Sequence, residues 1–109
     1  MIYWARAKFV RFSPYKVKRV LNVIRGKNVE EAFFLLSTLK VRPAREVSKV
    51  LKSALSNSGR TSTPQTMKVS LAYAGKGPYL RRVRPRAFGR ADVYTRKMAH
   101  INIGIEELK

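Results

Sequence analysis

The chain sets 24 lysines and arginines against six acids in 109 residues, a formal net charge of +18. A compact body of that size repels itself strongly unless phosphates neutralise it, so nucleic acid is the expected standing partner. The length fits one domain, residues 1–109, with apolar residues enough for a small core, and the absence of cysteine excludes disulfides and thiolate metal sites.

Residues 2–12 alternate as a strand, with Tyr3, Ala5, Ala7 and Phe9 on one face and Trp4, Arg6 and Lys8 on the other. Ser13-Pro14 then marks a helix start, the serine capping free amides and the proline losing no hydrogen bond at the first helical position. Val17, Val20, Leu21 and Ile24 share one face of this first helix, Lys16, Lys18, Arg19 and Arg25 point elsewhere, and Gly26 ends it. Asn28 and Glu31 have capping-box spacing and open a second helix. Its apolar stripe is Ala32, Phe33, Leu36 and Leu39, widened by Phe34 and Leu35, all read as core. Pro43 opens a third helix, in which Ala44, Val47, Val50, Leu51 and Ala54 face inward, and Gly59 closes it. Its basic row, Arg45, Lys49 and Lys52, has no acid between Lys49 and Lys52 to pair it, and is either a solvated face or a phosphate contact. Gly59 to Thr66 is a polar loop.

Gly75–Lys97 is rich in arginine, with Asp92 its only acid, and lies between two alternating runs: Met67, Val69, Leu71, Tyr73 before it and Ala99, Ile101, Ile103, Ile105 after it. That is the layout of a β-hairpin. Pro85 and Gly89 place its turn at Arg84–Arg90, and the arms run ~10 residues each beyond the body, or ~30 Å at the rise of a strand. Such a ribbon has no core of its own, so an anionic partner must cover it. Phe88 either stacks on a base or closes the turn against Pro85. The fold class is therefore α+β: three helices packed on a small antiparallel sheet, with a long protruding basic β-hairpin. The body takes about residues 1–74 and 98–109, the hairpin about 75–97.

Enzymatic chemistry finds little to work with. His100 is the only histidine and Asp92 the only aspartate; Glu30, Glu31, Glu46, Glu106 and Glu107 fall at helix starts or at a frayed C-terminus. No catalytic residue, metal site or cofactor is expected. His100 alternates with Ala99 and Ile101 and so faces away from the core. No apolar run approaches a membrane span, and the opening residues lack the order of a secretory signal, so no membrane partner is expected. Two rivals to an RNA-binding protein are an architectural DNA binder with basic β-arms and a cationic membrane-active protein.

Six segments stand out together: Val10-Arg11-Phe12-Ser13-Pro14-Tyr15-Lys16, Ile24-Arg25-Gly26-Lys27, Lys49-Val50-Leu51-Lys52-Ser53-Ala54-Leu55-Ser56-Asn57, Gly77-Pro78, Arg84-Pro85-Arg86-Ala87-Phe88-Gly89-Arg90-Ala91-Asp92 and His100-Ile101-Asn102-Ile103. In sequence and spacing they resemble the large-subunit ribosomal protein twenty-two family. The resemblance implies a non-enzymatic constituent of the large ribosomal subunit, in the cytoplasm or in an organelle. Its body would bind 23S-type ribosomal RNA among neighbouring large-subunit proteins, and its hairpin would line the exit tunnel beside the nascent polypeptide. RNA contacts are then expected at Arg6, Lys8, Arg11, Lys16, Lys18, Arg25, Lys27, Arg45, Lys49, Lys52, Lys76, Arg81, Arg82, Arg84, Arg86, Arg90, Arg96, Lys97 and His100. The tunnel-lining tip would be Arg84, Pro85, Arg86, Ala87, Phe88, Gly89 and Arg90, and the resemblance adds standing in the tunnel lumen as a third place for Phe88.

Overall fold

The structure is a computed structural model that describes residues 2–76, 80–85, 91–96 and 98–107; of 80–85 and 91–96 the backbone is described. Strand β1 (Tyr3–Val10) leads into helices α1 (Pro14–Ile24), α2 (Val29–Thr38) and α3 (Arg42–Ser58). A 3-10 turn (Pro64–Thr66) precedes β2 (Met67–Lys76), the ribbon strands β3 (Leu80–Pro85) and β4 (Ala91–Arg96), and β5 (Ala99–Glu107). The central sheet is antiparallel in the order β1-β5-β2, and the helices cover one of its faces.

The core lies between these layers. Ala99, Ile101, Ile103 and Ile105 of β5 are wholly buried under Val17, Leu21 and Ile24 of α1 and Val47, Leu51 and Ala54 of α3. Among the described residues no polar or charged side chain is buried, so the interior rests on apolar packing. The alternation read for β1 holds, with Ala5 buried and Arg6 and Lys8 exposed; the side chain of Phe9 lies outside the described residues.

Ser13 does occupy the N-cap of α1, but its hydroxyl makes no cap bond. The helix start rests instead on Pro14, which is buried and has no amide to satisfy, and on the Ser13 carbonyl, which accepts from the amides of Lys16 and Val17 at 3.1 and 3.2 Å. Asn28 is a working cap: its Oδ1 accepts from the Glu30 amide at 2.8 Å, and its Nδ2 donates to the Gln65 carbonyl, tying α2 to the 3-10 turn. Phe34 corrects the reading of α2. It is 67% exposed, because at 3.6 residues per turn it stands roughly 200° from both Ala32 and Leu36, the buried pair that fixes the inward face.

The second correction concerns β2. Its register with β5 slips between Val69 and Leu71, so Val69 faces Ile105 while Leu71 faces Gly104. The extra residue reverses the alternation: Met67 and Val69 point to the core, then Ala72, whereas Leu71 and Tyr73 stand 40% and 46% exposed on the opposite face. Ser70 sits at the slip and donates its hydroxyl to the Gly104 carbonyl at 3.2 Å.

Both outer strands of the sheet are guarded. Gly26, at φ 79°, turns the chain along β2 so that its amide donates to the Val69 carbonyl while Lys27 accepts from the Val69 amide, each at 2.9 Å. Arg25 follows with its guanidinium on the Ala72 carbonyl and on Asn22 Oδ1. On β1, Asn57 of α3 donates to the Trp4 carbonyl at 2.9 Å. The C-terminal acids are not frayed: both belong to β5, with Glu106 beside Lys68 at 3.3 Å and Glu107 paired with Arg60.

Among the described residues β3 and β4 pair only with each other, antiparallel from Leu80–Arg96 to Pro85–Ala91. The molecule is elongated, 63 × 26 × 18 Å. Its radius of gyration of 16.9 Å exceeds the ~13 Å of a compact domain this long.

Candidate nucleic-acid interface

Where α1 meets the α2–α3 junction, the three helices leave a groove of about 820 Å³. Phe12, Val20, Val23, Leu39, Val41 and Pro43 form its floor, and Arg11, Lys16, Arg19 and Arg42 stand on its rim. The groove continues past Lys40 and Arg45 onto the outer face of α3, where Lys49 and Lys52 extend the basic strip. The arrangement follows from the helix pattern. Once Val17, Val20, Leu21 and Ile24 face the sheet, Lys16 and Arg19 must flank the seam, and Pro43, buried in the first turn of α3, brings Arg42 and Arg45 to the other side.

One acid interrupts this strip, contrary to the reading of an unpaired row. Glu46 lies 3.7 Å from Lys49. With 64% and 37% of the two side chains exposed, the pair is worth little in water and yields to a phosphate without much loss. Apolar floors with cationic rims suit RNA, whose riboses and bases present apolar faces between charged phosphates.

Of the residues expected to touch RNA, Arg11, Lys16, Arg45, Lys49 and Lys52 gather in this one strip. Lys18 is exposed on α1, and Lys27 is exposed beside β2, its carbonyl already engaged by Val69. Arg25 is exposed as well, but its guanidinium is turned onto the Ala72 carbonyl. Arg6 and Lys8 lie on the helix-free face of the sheet, where the register places Arg6 beside Asn102 and Gly75 beside His100, and Lys76 ends β2. Arg81, Arg82 and Arg84 belong to β3 and Arg96 to β4; Arg84 is the register partner of Asp92 and Pro85 of Ala91. Arg86, Ala87, Phe88, Gly89, Arg90 and Lys97 lie outside the described residues.

Arg19, Lys40 and Arg42 belong to the strip but were not in the expected set. Their only signal was position: each is basic and off an apolar stripe, and only the packing of three helices shows that they converge.

Compared with known proteins, the chain matches the family profile of ribosomal protein L22p/L17e over residues 5–106. It is 43% identical over 105 residues to the large ribosomal subunit protein uL22 of Heliobacterium modesticaldum, an alignment spanning 94% of this chain and 75% of that protein. The uL22 of Clostridium acetobutylicum is 46% identical over 105 residues, with 94% and 95% covered, and that of a Synechococcus strain 41% over 107, with 96% and 87% covered.

Proposed function

Since the chain belongs to the ribosomal protein L22p/L17e family, a family of structural ribosomal proteins and not of enzymes, we propose that it is a constituent of the large ribosomal subunit. In this reading its helical groove holds 23S-type ribosomal RNA, and the β3–β4 ribbon extends to line the nascent-peptide exit tunnel. The observation that carries the RNA half is the convergence of Arg11, Lys16, Arg19, Lys40, Arg42, Arg45, Lys49 and Lys52 around one apolar-floored groove. Such a strip binds by releasing condensed counterions, and the planar forks of its arginines bridge adjacent phosphates. The ribbon supports the tunnel half. Among the described residues its two strands form a sheet of their own, apart from the three-stranded sheet of the body, and a two-stranded ribbon is marginal in water without a surface to cover it. The partners on this reading are 23S-type RNA, neighbouring large-subunit proteins and the nascent polypeptide.

Two measurements test it. The tagged protein should sediment with large subunits through a salt wash that strips loosely held basic proteins; release into the supernatant refutes a constituent role. In solution, Arg42→Ala, Arg45→Ala and Lys49→Ala should each lower the slope of log affinity against log salt for a 23S-type fragment by somewhat under one unit per lost contact. An unchanged slope would make the strip a solvated face.

A further inference from the structure

The helix-free face of the sheet carries a second, chemically different feature. Trp4 of β1 lies across from Gly104 of β5, and the missing side chain there makes room for the indole: a Cβ on Gly104 would come within 3.3 Å of the ring and 2.8 Å of Ile2. Tyr73 meets Trp4 in an edge-to-face pair, with centroids 6.2 Å apart and planes at 75°. The Arg6 guanidinium sits over the indole, 5.1 Å from its centroid. Tyr73 and Leu71 are on this face only because the slip at Ser70 turned them outward.

We propose that this corner is a stacking site for an unpaired RNA base, a site separate from the helical groove; the proposal rests on the RNA-binding reading above. Two rings at nearly a right angle give a planar base a wall to lie on and a second to meet edge-on, and the Arg6 fork and the exposed Lys8 supply cations for the attached phosphate. Asn102, between Arg6 and Tyr73 in the register, brings an amide with both donor and acceptor atoms to the same row. The charge on this face favours an anion. Its acid, Glu106, is already beside Lys68, which leaves Arg6 and Lys8 uncompensated among the described residues.

Size argues against a protein occupant. Three strands span two inter-strand spacings, ~10 Å, and the Trp4 and Arg6 rows are ~7 Å apart, room for one or two nucleotides and far below the ~800 Å² per partner of a stable protein interface. The sequence hides the site because Trp4 and Tyr73 are 69 residues apart and the alternation alone assigns Tyr73 to the core face.

Trp4 is the chain's only tryptophan, so its fluorescence reports on the corner directly. The full chain is titrated with a short oligoadenylate and with a blunt RNA duplex of equal length. The oligoadenylate should quench Trp4 and the duplex should not. Tyr73→Leu should weaken oligoadenylate binding by about fivefold or more and leave duplex binding unchanged, and Tyr73→Phe should restore it. Arg42→Ala in the groove should weaken both RNAs. Equal quenching by both RNAs, no quenching, or a silent Tyr73→Leu overturns the stacking site, and if Arg42→Ala still weakens binding, the groove reading survives alone. Loss of salt-dependent binding to either RNA in the parent chain would overturn both.

Discussion

Burial and position in a helical turn, more than residue type, decide what a side chain is worth here. Ile103 is wholly buried at the centre of β5 beneath α1 and α3, and Ile103→Ala should cost about 2–5 kcal/mol in urea unfolding. Phe34 is as apolar but two-thirds exposed, and Phe34→Ser should shift stability by less than about 0.5 kcal/mol. A comparable loss from the two would place Phe34 in a contact that the fold does not contain. Gly104 is the converse case, a position where the absence of a side chain is structural. Gly104→Val forces Ile2 and the Trp4 indole aside, which should cost roughly 1–3 kcal/mol and change the near-ultraviolet circular dichroism of the Trp4–Tyr73 pair. A native spectrum would mean that the sheet absorbs the strain elsewhere.

At the scale of the element, the three helices were legible because their apolar residues recur at helical spacing and Pro14, Asn28, Pro43 and Gly59 punctuate them. β2 was legible as a strand but not in its facing. Met67, Val69, Leu71 and Tyr73 alternate without a break, and the slip at Ser70 carries neither glycine nor proline to announce it. What sets it is the partner strand, where Gly104 leaves space across from Leu71 and offers Ser70 a carbonyl, a long-range fact that no local pattern contains. The groove was legible in part for the same reason: periodicity gives the face of each helix but not which polar faces meet. The ribbon offers a test of register. Deleting Leu80–Arg82 removes three residues from one strand, reverses side-chain alternation beyond the cut and shortens that arm by ~10 Å. The body is held by its own core and should still assemble into subunits, while arrest-peptide stalling and sensitivity to tunnel-binding antibiotics should change. Assembly with every tunnel property unaltered would exclude the ribbon from the tunnel wall.

For the molecule as a whole, a charge of +18 on a small folded body is a standing internal repulsion. Among the described residues only three close ion pairs offset it, Lys49–Glu46, Arg60–Glu107 and Lys68–Glu106. The free protein should therefore melt at a higher temperature in moderate salt than in dilute buffer, and higher again with a soluble polyanion that binds the folded form. A melting point indifferent to both would mean that the cations are spaced too widely to repel.

The two ties across the sheet margins matter most before assembly. On the proposed reading the protein is made apart from the RNA it joins and spends time as a free copy, and its exposed strand margins are then templates on which other chains could add and start insoluble aggregates. The Arg25–Lys27 turn on β2 and Asn57 on β1 occupy part of those margins with the protein's own polar groups. They act as chaperoning built into the chain, and their benefit falls in the interval between synthesis and incorporation, not in the finished particle.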